Sequence, residues 1–169
     1  MQSPPLPENE AARQDALERT GLLQSGENTD LQDIVELAAT ICQVPMAMVS
    51  LIDHDRQVHK ARVGIEAPGL PRALSICGHA ILGPEPFIVP DATADERFAT
   101  NPLVTGPMHI RFYAGIPLVV DGEYALGALC ILDTQPRDLD ERTRDSLQRL
   151  ARIARIYLQQ FADLGGQPK

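Results

Sequence analysis

Residues 110–133 read IRFYAGIPLVVDGEYALGALCILD, two apolar runs hinged on Asp121-Gly122. An Asp-Gly pair between such runs is a strong short hairpin signal, because the tight turn that suits twisted strands needs positive φ at its two central residues. The pattern predicts strands over Phe112–Val120 and Tyr124–Leu132. Pro117, inside the first, predicts a bulge or an edge position there. Strand alternation sends Phe112 and Tyr113 to opposite faces, so only one of them can look into a pocket.

After the hairpin, acids at Asp138, Asp140 and Glu141 suit the positive end of a helix. Leu147, Leu150, Ala151, Ala154, Leu158 and Phe161 recur at helical spacing, predicting a long helix to about Phe161 and a tail over 162–169. Upstream, 1–10 is proline-rich and polar and reads as a disordered arm. A first helix is expected over 11–25. Thr29 with Gln32 has capping-box spacing before Leu31, Ile34, Val35, Leu37, Ala38 and Ile41, a second helix that Pro45 ends. Met46–Ile52 and Gln57–Val63 read as strands. In the latter, His59, Ala61 and Val63 alternate with Val58, Lys60 and Arg62, and either face could be the buried one. Gly64–Arg72 reads as a loop, Ser75 as the cap of a two-turn helix, and Phe87–Val89 as a short strand. Thr93 with Glu96 marks another short helix, ended at Asn101-Pro102. Helices, then strands, then a hairpin and a helix make an α+β domain, an antiparallel sheet with helices packed on it.

Three strings stand in this frame: R-x-x-S-x-C-x-H at Arg72–His79, PDA-x-x-D-x-RF-x-x-NP at Pro90–Pro102, and IRFYAG-x-PL at Ile110–Leu118. On these the chain resembles a GAF domain of the bacterial signalling type over roughly 29–161. The resemblance implies N- and C-terminal helices together on one face of the sheet, with short helices and loops over a pocket on the other. It also implies a homodimer formed through the terminal helices and an output protein or domain that receives the signal.

Composition narrows the remaining classes. The 169 residues, 44% hydrophobic, suit one domain with its own core. No apolar run approaches the ~18 residues of a membrane span, and Pro4, Pro5, Pro7 and Glu8 do not make a signal peptide, so a cytoplasmic protein without a membrane role is expected. A net charge of −8 argues against a broad nucleic-acid surface, the arginines at 142, 144, 149, 152 and 155 being the local exception. Three cysteines have no framework spacing, and Cys42 and Cys130 lie in apolar runs as buried thiols would.

Candidate residues follow from chemistry and place. If Ser75 caps a helix, Cys77 sits in its first turn, where free N–H groups favour a thiolate. His79 is then too far round the helix to pair with it. Burial of Cys77 and a backbone bond to His79 explain the pair equally as structure. Asp91 either fixes its own turn or pairs with Arg97 or Arg111, whose guanidinium forks suit carboxylate or phosphate. The ligand-binding candidates are Cys77, His79, Asp91, Arg97, Arg111 and Tyr113. One Cys-x-His with His54, His59 and His109 scattered elsewhere is too little for a metal. No cofactor is called for; a small-molecule ligand of unidentified class is.

The expected function is that of a regulatory sensing module and not an enzyme. The alternative is a ligand-free dimerisation domain. A third reading is similarity to the free methionine sulfoxide reductases, which carry a catalytic cysteine shortly before the central hairpin, where this chain has His109-Ile110-Arg111-Phe112. A bilin site fits less, since 4% aromatic residues and no tryptophan supply few rings to line it.

Overall fold

The computed structural model describes residues 1–165. Its strands are β1 (Met46–Ile52), β2 (Arg56–Val63), β3 (Gly69–Pro71), β4 (Phe87–Val89), β5 (Phe112–Val120) and β6 (Tyr124–Asp133). They form one sheet in the order β3-β2-β1-β6-β5-β4, each neighbouring pair antiparallel. The helices are α1 (Glu10–Thr20), α2 (Thr29–Cys42), α3 (Cys77–Ala80), α4 (Pro102–Thr105) and α5 (Glu141–Asp163). The expected α+β, GAF-like architecture is the observed one.

The hairpin forms as its sequence demands, with Asp121 and Gly122 at φ 54° and 66°. Pro117 lies past the last β4 pair, Phe87 with Gly115, where a missing N–H breaks no ladder bond to β4. β3 escaped the sequence reading because three residues with a glycine and a proline read as loop; Pro71 is tolerated because β3 is an edge strand.

Each sheet face carries its own core. On one, α1, α2 and α5 bury Leu17, Leu31, Val35, Leu147, Leu150 and Leu158 against Val49, Phe112 and Leu126. On the other, α3 and the connecting loops bury Ile76, Cys77, Phe98 and Val104 against Tyr113 and Cys130. Phe112 and Tyr113 therefore part as alternation requires. In β2 the alternation breaks. The register shifts opposite Val49/Ser50, so Ser50 pairs with His59 while Val49 pairs with Ala61. This bulge puts two consecutive residues on one side. His59 faces the α3 side, whereas Ala61 and Val63 belong to the helix-side core.

The caps differ from expectation by small steps. Asn28, not Thr29, caps α2, accepting from Leu31 N at 3.0 Å. Gln32 instead ties α2 to β2, donating to Arg62 O at 2.9 Å and accepting from Arg62 N at 3.2 Å. The helix expected after Thr93 is a 3₁₀ turn over Ala92–Ala94. Asn101-Pro102, read as a stop, starts α4: Asn101 accepts from Leu103 N at 2.9 Å, and proline at the first helical position loses no bond. Asp140 caps α5, accepting from Thr143 N at 2.7 Å, and the helix extends past Phe161 to Asp163. Of the expected tail, 166–169 lie outside the described residues.

The N-terminal segment is the largest departure. Proline-rich composition predicted a disordered arm, but Gln2 donates its N–H to Arg97 O at 2.9 Å. Behind it, α1 is held by an ionic clamp that hydrophobic periodicity does not reveal. The Glu10 carboxylate accepts from Arg13 Nε at 2.9 Å and Arg72 Nη1 at 2.6 Å, with Arg13 fully buried.

Candidate functional site

The α3 face of the sheet holds a narrow cavity under the segments 64–70, which runs into β3, and 103–110, which includes most of α4. Met48, Leu70, Ile110, Tyr113 and Leu132 make its apolar wall, and Gln57 and His59 of β2 enter it as polar groups. The space inside is about 20 Å³, room for about one water by the usual measure.

A continuous hydrogen-bond line crosses this site. Gly78 N donates to Ser75 Oγ at 2.7 Å, and Ser75 Oγ donates to Gln57 Oε1. Gln57 Nε2 meets His59 Nε2 at 3.0 Å, and His59 Nδ1 lies 2.8 Å from the Ala67 carbonyl. A carbonyl can only accept, so Nδ1 carries the proton and Nε2 accepts from Gln57. Burial lowers the pKa of His59, against the Ala67 bond that favours its charged form. The ring is thus held neutral, in one tautomer.

Beside this line, Cys77 and Cys130 place their sulfurs 3.8 Å apart, and Tyr113 Oη donates to Cys77 Sγ at 3.1 Å. Both cysteines are essentially inaccessible, at 1% and 0% exposure. Burial alone would raise the Cys77 pKa, but hydrogen bonds from Cys130, Ser50 and Tyr113 bring it below its ordinary value; burial pushes the Cys130 thiol and the Tyr113 hydroxyl up. The helix-terminus argument is replaced here: α3 is only four residues long, and side-chain donors supply the stabilisation. Gly115 belongs to the same arrangement, since the Tyr113 ring folds over it and a Cβ there would stand 2.8 Å from the ring carbon Cε1.

The remaining predicted residues divide. His79 and Arg97 meet across Phe98: the His79 ring sits edge-on to it at 4.9 Å and the Arg97 guanidinium lies 5.1 Å from its centre. His79 Nε2 bonds the Gln2 carbonyl at 3.0 Å, and burial lowers its pKa although that carbonyl opposes the shift. Arg97 is braced by Asp95, at 2.7 Å, which lowers the carboxyl pKa. Of the two readings of Asp91, the pair with Arg97 or Arg111 does not form among the described residues. Asp91 closes its own turn, accepting from Thr93 N at 3.0 Å and Thr93 Oγ1 at 2.6 Å. Arg111 points along its loop, donating to Val104 O at 2.8 Å and Ile110 O at 3.0 Å and meeting His109 Nδ1 at 3.1 Å. These bonds hold the loop that forms the cavity wall and leave the guanidinium out of the cavity. Of the six candidates, only Cys77 and Tyr113 line the cavity. Gln57 and His59 were missed; a histidine and a glutamine two apart on a strand was the available signal, and the bulge obscured which face they took.

Among the described residues no helix is long and apolar enough to cross a membrane, and no group of three or more His, Cys, Asp or Glu is placed to hold a metal ion.

The GAF domain family matches residues 28–158. Cyclic di-GMP phosphodiesterase PA2567 of Pseudomonas aeruginosa is 42% identical over 160 residues, covering 93% of this chain and 27% of that protein. The chain thus spans about a quarter of the length of the curated relative it matches. The expectation of a module that is not an enzyme is corrected by this match, because the curated relative is named a cyclic di-GMP phosphodiesterase. Among solved structures, the GAF domain of an Acinetobacter phosphoenolpyruvate-protein phosphotransferase superposes with a TM-score of 0.64 at 23% identity, covering 88% of this chain and 91% of that one. Free methionine-R-sulfoxide reductase from Neisseria meningitidis gives 0.63 at 18% identity, covering 96% and 99%. At those identities the two structures share the fold alone. The strings at 72–79, 90–102 and 110–118, the two-faced sheet and the family match over 28–158 lead to one conclusion: the chain belongs to the GAF domain family.

Proposed function

We propose that this chain is the small-molecule-sensing regulatory unit of a cytoplasmic signal-transduction protein. The observation that carries the reading is the Ser75–Gln57–His59 line set into an otherwise apolar cavity on the sheet face opposite α1, α2 and α5. An apolar wall with a few aimed polar groups has the composition of a ligand site. His59 presents a neutral ring, so the favoured ligand is compact, largely apolar and uncharged or weakly polar. The existing space fits about one water, so entry moves the 64–70 and 103–110 segments. A ligand shifts that equilibrium only by its difference in affinity for the closed and open walls.

The signal leaves through the terminal helices on the other face. α2 exposes Leu37 and Ile41, and α5 exposes Ile153 and Ile156, on two helices that pack side by side. These residues form the homodimer contact of our reading. The output that fits the Pseudomonas relative is cyclic di-GMP phosphodiesterase activity of the whole protein. No nucleic-acid contact is part of this reading, since the net charge is −8.

A second reading is a dimerisation unit that takes no ligand. It is favoured by the small cavity volume and by Arg97 and Arg111 being satisfied within the chain. Native mass spectrometry of the purified protein separates the two. A dimer carrying a defined small-molecule mass supports the sensor. A dimer without added mass, unchanged by a library of small apolar compounds, supports the second reading, and a monomer refutes the helix contact in both.

A further inference from the structure

Residues 1–5 do more than lie near the candidate site. Gln2 uses both of its main-chain groups there, its N–H on the Arg97 carbonyl at 2.9 Å and its carbonyl on His79 Nε2 at 3.0 Å. Two residues on, Pro4 sits directly on Gly78. A Cβ at Gly78 would stand 2.7 Å from Pro4 Cγ and 3.1 Å from Pro4 Cβ, so the contact requires glycine at this position. The floor is aromatic: Phe87 and Phe98 lie edge to face, with the Arg97 guanidinium 4.9 and 5.1 Å from their centres. The notch therefore offers one donor, one acceptor, a flat seat without a side chain and a nearby cation. That set matches an extended peptide backbone, whose N–H and C=O form its obligatory polar pair.

We propose that the Gly78–His79–Arg97 notch is a binding site for an extended secondary amide, peptide or peptide-like, and that residues 1–5 fill it in cis as an internal ligand. An incoming amide must displace the arm. The displacement has a mechanical consequence because the arm runs straight into α1. Glu10, the first residue of α1, holds Arg72, which opens the turn leading to α3, while α1 packs on α5. Releasing residues 1–5 removes their contacts with α3 at one end while the same segment continues into α1 at the other, a covalent route from the notch to the terminal helices that bypasses the cavity. This proposal is independent of the sensor reading above and would stand if the cavity bound nothing.

The test uses the full chain. In the wild type, Pro4 ring protons should give nuclear Overhauser cross-peaks to the Gly78 α protons. Carbethoxylation by diethyl pyrocarbonate, mapped by mass spectrometry, should be roughly tenfold slower at His79 than at exposed His54, as expected for a locally protected group. Gln2→Pro removes the N–H that meets Arg97, and Gly78→Ala wedges Pro4 away. Both should raise the His79 rate toward that of His54 while far-UV circular dichroism stays unchanged. Gln2→Pro touches no core position, so it reports even where Gly78→Ala disturbs folding. A synthetic peptide of residues 1–8, added to the Gln2→Pro protein, should restore protection. Missing cross-peaks, a His79 rate unchanged in Gln2→Pro, or failure of the peptide to restore protection would each overturn the proposal.

Discussion

Replacing Glu10 with alanine removes the one carboxylate shared by two arginines whose side chains are 0% and 6% exposed. Removing one partner of a buried ion pair costs about 3–5 kcal/mol, mostly because a charge is left uncompensated. Two features place this case at the lower end. Glu10 is itself 18% exposed, so water can replace part of it. Both arginines also keep carbonyl partners, Arg13 on Ile52 O at 2.8 Å and Ala125 O at 3.2 Å, Arg72 on Asp53 O at 2.9 Å. We expect a loss of about 3 kcal/mol, which lowers Tm by roughly 6–12 °C at this chain length. Burial acts to raise the Glu10 pKa, but hydrogen bonds from Arg13, Arg72 and Gln14 hold it well below the usual carboxylate range. A depressed folded pKa contributes stability that is present above the unfolded value and lost as pH falls through the folded one. The wild type should therefore lose stability progressively below its unfolded value of 4.5, and Glu10→Ala should lack that component. Urea unfolding followed by circular dichroism at neutral and acidic pH measures both. A variant within about 0.5 kcal/mol of wild type, the range of ordinary surface substitutions, would refute the clamp.

Other outcomes follow from the same geometry. Gln57→Ala strands Ser75 and His59 in a buried setting and should cost about 1–3 kcal/mol in urea unfolding; an unchanged midpoint would mean that the line adds nothing. Arg111→Ala should destabilise by about 1.5–3 kcal/mol, through its lost bonds to the Val104 and Ile110 carbonyls, and leave the affinity of any cavity ligand found by mass spectrometry within a few-fold. Loss of ligand with full stability would return Arg111 to the site. All three thiols are buried, so native protein should resist N-ethylmaleimide until denatured, and rapid native alkylation of Cys77 would contradict its packing. Ile153→Asp combined with Leu37→Asp should convert a dimer to monomer in analytical ultracentrifugation, whereas a persistent dimer would move the contact off α2 and α5.

Local chemistry made most of the fold legible. The Asp121-Gly122 turn, the alternation that parts Phe112 from Tyr113 and the α5 stripe from Leu147 to Leu158 are consequences of residue type at short range. So is Asp91, whose carboxylate finds its partner two residues on. Errors at Asn28 and Asp140 amount to a residue or two at helix ends, where several neighbours can cap and packing selects one, whereas Asn101-Pro102 reads as a stop because the same pair suits either end of a helix. The candidate site was legible only in part. Cys77 and Tyr113 were found through the strings that contain them, whereas His59 and Gln57 needed the bulge opposite Val49/Ser50, set by the pairing of two strands and not by β2 itself. Tertiary structure alone decided the rest. Nothing next to Glu10 and Arg13 in the chain marks them as a buried pair; Arg72, sixty-two residues after Glu10, completes the clamp only on folding. The proline-rich arm reads as free until His79 and Arg97 supply the partners that its own sequence cannot. Short-range sterics and periodicity are written in consecutive residues, but compensation for a buried charge or an exposed amide comes from wherever the chain happens to return.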